Sequence, residues 1–162
     1  MFSITARTIS KIYRSHVKLS YKMQCHLIDT DTDIGKICEV IAADIVDGQI
    51  CSTRTQQGYD VFRGRKHWEV KFRRGVLKGK YLNRESCTIS GLKNKHGADL
   101  IAFYASYKDS CLYIIIVPYN VWNKRSISHG NTLQITNSSL KSDNEDHSIN
   151  WWRKYIHQVV DA

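Results

Sequence analysis

The chain has 162 residues, of which 42% are hydrophobic and 24% are charged. This length suffices for one domain with a substantial core but not for two of ordinary size, so we expect a single domain over 1–162. The formal net charge of +9 favours a polyanionic partner, because lysine and arginine attract phosphate. The longest apolar run, 112–118, is far too short for a membrane-spanning helix, so no membrane partner is expected.

The N-terminal segment 1–32 is basic, with no acidic residue before Asp29. Apolar residues share one helical face over part of 2–28, which predicts a basic helix that lies on DNA. The same composition is also typical of an organellar transit peptide, and that alternative stays open. The five cysteines include no CxxC pair, which argues against a zinc site or a disulfide framework and favours a cytoplasmic protein.

An amphipathic helix is predicted directly after the aspartate-rich run 29–33, whose side chains can cap free backbone N–H groups. Apolar residues then recur at helical spacing and form one stripe: Ile34, Ile37, Cys38, Ile41 and Ile45. The pair Asp47-Gly48 is expected to end this helix.

After a polar loop at 52–57, the apolar period changes to two. This change predicts a hairpin with strands at Tyr59–Arg63 and His67–Arg73, joined by a tight turn around Gly64. Further strands are expected at 86–90, 98–106, 111–117 and 132–136, with a basic loop or short helix at 91–97 and an acidic surface loop at 140–147. A last helix is expected over 148–160, with a buried stripe of Ile149, Trp152, Ile156 and Val159. The order of elements predicts an α/β protein with a mixed β-sheet core at 33–136, flanked by helices.

The second strand of the hairpin carries the chemistry. Its apolar side chains alternate with Glu69 and Lys71, which therefore share the opposite face. Counting outward from the turn, Asp60 of the first strand faces Glu69, and two like charges so placed destabilise a sheet. A cation between them would remove the repulsion. Oxygen ligands completed by water and phosphate suit Mg²⁺, with Mn²⁺ as a substitute.

These residues have the properties that phosphodiester hydrolysis needs. A metal on Asp60, Glu69 and the Val70 carbonyl would lower the pKa of its bound water and hold the phosphate. Lys71 would orient that water and stabilise the developing charge. From residue 63 to residue 80 there are eight Lys or Arg and a single acid. Basic side chains of the hairpin and of the later basic loop are expected to contact DNA: Arg63, Arg65, Lys66, Arg73, Arg74, Lys93 and Lys95.

The combination of Gly58-Tyr59-Asp60, a hairpin and Glu69-Val70-Lys71 resembles the PD-(D/E)XK nuclease superfamily. That superfamily includes restriction enzymes, Holliday-junction resolvases and some homing endonucleases. The resemblance covers 33–136 and implies a restriction-endonuclease-like core, with Asp60, Glu69 and Lys71 as catalytic residues. Tyr59 stands where the family has the proline of its motif. Many members carry another acid on the preceding helix, which implies Glu39 as a further metal ligand.

The sequence thus predicts a Mg²⁺-dependent DNA endonuclease of the restriction or homing type. Two strands cut by one site per chain call for a homodimer or homotetramer. Trp151 and Trp152 are expected to anchor the last helix, with one ring facing a partner subunit. A Holliday-junction resolvase would have a similar sequence, and a non-catalytic DNA-binding module is the alternative from another class. His96 and His129 suggest an HNH-type site, but their spacing favours solvated loop histidines.

Overall fold

The computed structural model describes residues 34–51, 58–77, 84–92, 95, 97–127, 129–139 and 149–161. The helix predicted at 2–28, the aspartate-rich run 29–33 and the acidic loop at 140–147 lie outside the described residues. No helix within the described ranges is long and apolar enough to cross a membrane.

Two α-helices and nine strands lie in the part of the chain that the structure describes. The helices are α1 (Ile34–Ile45) and α2 (Tyr119–Ile127). The strands are β1 (Gln49–Ile50), β2 (Val61–Arg63), β3 (Lys66–Arg74), β4 (Val76–Leu77), β5 (Arg84–Ile89), β6 (Asp99–Ser106), β7 (Cys111–Val117), β8 (Leu133–Ser138) and β9 (Ile156–Asp161). A 3₁₀ helix, Trp151–Tyr155, leads directly into β9.

The strands form two sheets. The larger has six strands in the order β1-β2-β3-β6-β7-β9, and the smaller has three in the order β4-β5-β8. Only β3 and β6 pair in parallel among these strands, so the larger sheet is mixed. The predicted α/β class with a mixed sheet and flanking helices is therefore confirmed. The division into two sheets was not predicted.

Helix α1 forms where its apolar stripe predicts. Ile37, Cys38 and Ile41 are buried against the larger sheet, and each such side chain stabilises the fold by roughly 1.5–3 kcal/mol. The helix ends at Asp47-Gly48 as expected, with Asp47 in the left-handed conformation at φ 51°. The Gly48 N–H closes the end by donating to the Ala43 carbonyl at 2.8 Å.

The larger sheet is covered on both faces. Val61, Val70 and Phe103 project to the face that packs against α1. Leu100 and Tyr104 project to the other face, where they pack with side chains of β5, β8, α2 and the 3₁₀ helix. Because neighbouring strands keep the same alternation, Glu69, paired with Leu100, lies on this second face.

The predicted C-terminal helix is wrong. The segment is a 3₁₀ turn followed by β9, which pairs antiparallel with β7. Strand β7 is almost wholly buried, and without β9 its outer backbone groups would have no strand partner. This long-range pairing overrides the local helical pattern, and Val159, predicted to be buried, is 48% exposed.

The tryptophan pair is also placed differently from expectation. Trp151 and Trp152 are both buried within this chain, so neither presents its ring to a partner subunit. The Trp152 indole N–H donates to the Thr136 carbonyl at 2.8 Å, which fixes the 3₁₀ helix on β8. Two short strands, β1 and β4, and helix α2 were not predicted.

None of the cysteines in the described ranges takes part in a disulfide. Cys38, Cys87 and Cys111 are buried, as expected for small apolar side chains. Burial raises the pKa of the Cys87 thiol to about 12, so this group stays neutral and is a poor nucleophile near pH 7.

Candidate active site

The hairpin that carries the predicted site has the expected register. Strands β2 and β3 are joined by a two-residue turn, Gly64-Arg65, and Val61 pairs with Trp68. Gly64 has φ 58°, a conformation that glycine adopts without a steric penalty. The turn therefore fixes which residues of β2 lie beside the acidic position of β3.

Asp60 lies one residue beyond the paired part of β2. Its backbone N–H still donates to the Trp68 carbonyl at 2.9 Å. Its carboxylate turns to β3, where Oδ2 accepts a hydrogen bond from the Val70 N–H at 2.8 Å. Asp60 thus does not simply oppose Glu69 across a ladder. The Asp60 carboxylate is held beside β3 by the backbone N–H of Val70, the residue after Glu69.

Glu69 is fully buried, which is costly for a carboxylate unless cations or hydrogen bonds compensate. Its Oε1 is paired with the Lys71 ammonium, and its Oε2 lies 3.0 Å from the Lys95 Nζ. Neither oxygen accepts a hydrogen bond of good geometry. The charge of Glu69 is therefore balanced by two cations and not by fixed neutral donors.

These groups line one cavity of about 470 Å³ at the edge of β3. Asp60, Glu69, Val70 and Lys71, the residues predicted to form the site, all line it. Glu39 of α1, which the family resemblance implied as a further metal ligand, also lines it. The four residues that the sequence placed in the metal site thus line one cavity, but their three carboxylates are not grouped closely enough to hold one ion together.

The donor set fits a partly hydrated hard cation. Within the described residues, no three His, Cys, Asp or Glu side chains are grouped closely enough to hold a metal ion. Two carboxylates and a backbone carbonyl would leave most of an octahedral shell to water and phosphate, which is the usual arrangement for Mg²⁺. The Glu69 oxygens are paired with the Lys71 and Lys95 ammoniums, at least one of which a bound cation would have to displace. Glu39 has a salt bridge of 3.9 Å with Lys36.

The basic residues predicted to contact DNA are spread over the hairpin. Arg65 and Lys66 are exposed at the turn. Arg63 forms a salt bridge with Asp47 at 3.4 Å and donates to the Val46 carbonyl at 3.3 Å, so it contributes to the end of α1. The turn is four residues from Glu69, on the order of 13 Å along an extended strand.

Arg73 and Arg74 have different surroundings. Arg73 lines the cavity, and its guanidinium donates to the Phe72 carbonyl at 2.7 Å and to the Thr88 carbonyl at 3.3 Å. These bonds hold it between the two sheets. Arg74 is exposed at the end of β3. Arg73 thus contributes a cation to the lining of the cavity, and Arg74 lies outside it.

Lys95 has a contact that sequence reasoning did not predict. It was predicted to be one of the DNA contacts in a basic loop, but it lies in the cavity and pairs with Glu69. Its position depends on a loop that returns to β3 from 26 residues away in the sequence, and no local pattern indicates this contact. Lys93 and His96 lie outside the described residues. His129 lines a different cavity.

Comparison of the chain with protein-family models and with curated proteins identifies no significant relative.

Proposed function

We propose that this chain is a Mg²⁺-dependent DNA endonuclease of the PD-(D/E)XK type, site-specific in the manner of restriction or homing enzymes. The observation that carries the proposal is Glu69. It is a fully buried carboxylate whose two oxygens are paired with the Lys71 and Lys95 ammoniums, and it shares one cavity with Asp60 and Lys71. Burial of an acid among cations alone is costly for stability, and such groups are concentrated at functional sites.

Asp60, Glu69 and the Val70 carbonyl would hold the cation. When bound, the metal supplies an activated water and neutralises charge on the scissile phosphate. The hydrogen bond from Val70 to Asp60 fixes that carboxylate before any ligand arrives. Preorganised groups of this kind need no rearrangement as the reaction proceeds.

Lys71 supplies the positive charge nearest to the reacting phosphate. Its ammonium pairs with Glu69, and its side chain is 22% exposed, so it reaches solvent at the cavity. A proton-bearing cation in this position orients the attacking water and stabilises negative charge on the phosphate oxygens. Arg73 lines the same cavity and supplies a second cation for the substrate.

The oligomeric state and the compartment belong to the same proposal. A chain with one such site cuts both strands of a duplex most simply as a symmetric dimer or tetramer. Strand β9 forms one edge of the larger sheet in the described chain, and such edges pair readily with a second copy. The described cysteines, which form no disulfide, favour a reducing cytoplasm.

The direct test is cleavage by the purified chain. Long duplex DNA and a four-way junction are incubated in parallel with Mg²⁺, with Mn²⁺ and with a chelator. We expect metal-dependent cutting of duplex DNA, and Glu69→Gln, purified identically, controls for contaminating nuclease. Preferential cutting of the junction would identify a resolvase. Binding of DNA with no cleavage under any metal condition would support the non-catalytic module instead.

A further inference from the structure

A second cavity, of about 540 Å³, lies between α2, the start of β8 and the 3₁₀ helix. None of the described residues that line it is acidic. Its lining includes three basic side chains, a histidine and two aromatic rings: Lys124, Arg125, Lys154, His129, Trp151 and Tyr155. The described lining of this cavity therefore carries a net positive charge. Its chemistry suits an anion.

The cations of this cavity are organised on aromatic rings. The Arg125 guanidinium carbon lies 4.4 Å from the centroid of Trp151, and the Lys154 Nζ lies 5.4 Å from that of Tyr155. Trp151 is itself fixed, because it is 93% buried and its indole N–H donates to the Gln134 carbonyl at 3.4 Å. A stacked guanidinium loses less conformational freedom when it binds a phosphate. The site is thus preorganised.

The second cavity lies on the face of the larger sheet from which Glu69 projects, and the first cavity adjoins both this face and α1 on the other. Trp122, Leu133 and Trp151 pack on the face from which Glu69 projects. The first turn of α2 is tied to the strand next to β3, since the Tyr119 N–H donates to Asp99 Oδ1 at 2.9 Å. Arg125 lies six residues further along α2. Arg73 of the first cavity donates to the Thr88 carbonyl, and Thr88 pairs with Gln134, which lines the second cavity. One strand spacing and the length of an arginine side chain therefore separate the two linings, which places the sites on the order of 15 Å apart.

We propose that this cavity binds the phosphodiester backbone of the substrate DNA, on the duplex that flanks the cleaved bond. The inference rests on the proposed function, which puts DNA on this side of the sheet. A separation on the order of 15 Å corresponds to roughly four or five base pairs of B-DNA. Lys124, Arg125 and Lys154 would neutralise phosphates there and would position the strand without reading its sequence.

The test is the salt dependence of DNA binding, measured by fluorescence anisotropy in chelator with a duplex of about thirty base pairs. The variant Arg125→Gln/Lys154→Gln should bind more weakly, and its slope of log K against log salt should be shallower by about 1–2 units. The matched control is Lys36→Gln/Arg84→Gln. It removes the same charges from residues that line neither cavity. It should leave the slope within about 0.5 unit of wild type.

A second variant, Lys124→Gln/Lys154→Gln, leaves the Arg125–Trp151 contact intact and should also flatten the slope. Equal slopes for these variants and the control would overturn the inference. The inference would also be overturned if a mononucleotide displaced labelled DNA from the wild type but not from Arg125→Gln/Lys154→Gln, since the cavity would then be a nucleotide site.

Cleavage with Mg²⁺ is measured on the same preparations. If the two variants flatten the slope but the wild type does not cleave DNA, only the nuclease proposal fails. If the wild type cleaves DNA and the variants leave the slope unchanged, only this inference fails.

Discussion

Two glutamates on the same side of the larger sheet are fully buried, and they are compensated in different ways. Glu85 accepts hydrogen bonds from the Tyr104 hydroxyl and from the Lys108 N–H at 2.7 Å. Glu69 has no such neutral donor in the described chain, and its oxygens are paired with two lysine ammoniums. Neutral donors fixed by the fold hold a carboxylate permanently. Side-chain cations can move, so another cation can replace them.

The surroundings of Glu85 show how far the fold is adapted to it. A Cβ atom at residue 75 would overlap the Glu85 carboxylate, so only glycine fits beside it. Burial, together with the hydrogen bond to Glu85, raises the pKa of the Tyr104 hydroxyl, which remains a donor. We interpret Glu85 as a structural carboxylate and Glu69 as a functional one. Four predictions separate the two roles.

The largest expected difference is in catalysis. Glu69→Gln and Lys71→Met should each reduce the rate of DNA cleavage by at least about 100-fold, because each removes a charge at the reacting phosphate. Glu85→Gln should leave the rate per folded molecule within about threefold of wild type, since Glu85 does not line the cavity. Single-turnover kinetics at saturating protein measure both. Cleavage by Lys71→Met at the wild-type rate would remove the role assigned to that residue.

The second prediction concerns the fit between Gly75 and Glu85. Gly75→Ala should lower the free energy of unfolding by about 3 kcal/mol, a fall in Tm of roughly 6–12 °C for a chain of this size. Thermal melts followed by circular dichroism provide the measurement. The double variant Gly75→Ala/Glu85→Ala is the control. Its loss should be smaller than the sum of the two single losses, because the added methyl then has room. Additive losses would mean that the overlap is relieved elsewhere.

The hairpin shows what local sequence determines. The period-two pattern and Gly64 fix the register of β2 and β3, and the apolar stripe fixes α1, so Asp60, Glu69 and Lys71 are correctly brought to one place. Contacts between residues that long loops separate cannot be predicted from local periodicity or turn residues. Lys95 reaches Glu69 through the loop after β5, and β9 forms only because the edge of β7 needs a partner. The repulsion expected between the Asp60 and Glu69 carboxylates is reduced by Lys95, whose contact with Glu69 the register of the hairpin does not predict.

The third prediction uses a cation to distinguish the two glutamates. Ca²⁺ at ten times its dissociation constant should stabilise the wild type by about 1.4 kcal/mol, which raises Tm by roughly 3–6 °C. Glu85→Gln should give the same rise from its own lower baseline, and Glu69→Gln should give almost none. Scanning fluorimetry in chelator and in Ca²⁺ makes the comparison. A full response in Glu69→Gln would place the cation elsewhere on the chain.

The last prediction concerns Lys95 and tests whether a metal can replace a lysine ammonium beside Glu69. The Lys95 Nζ lies 3.0 Å from Glu69 Oε2. A metal bound to Glu69 through this oxygen would compete with the lysine for it. Without the metal, Lys95→Met leaves a buried carboxylate with one ammonium in place of two. The metal-free protein should therefore lose about 1–2 kcal/mol of stability, or roughly 2–8 °C in Tm.

Addition of Ca²⁺ should narrow that difference. The variant lacks the competing ammonium, so it should bind Ca²⁺ several-fold more tightly and gain more in Tm from the metal than the wild type gains. Lys36→Met is the matched control, since Lys36 pairs with Glu39 at 3.9 Å and does not line the cavity. It should melt like the wild type under both conditions. If Lys95→Met lost stability equally with and without Ca²⁺, Lys95 would be a permanent partner of Glu69. The pair would then be structural, like the hydrogen bonds that hold Glu85.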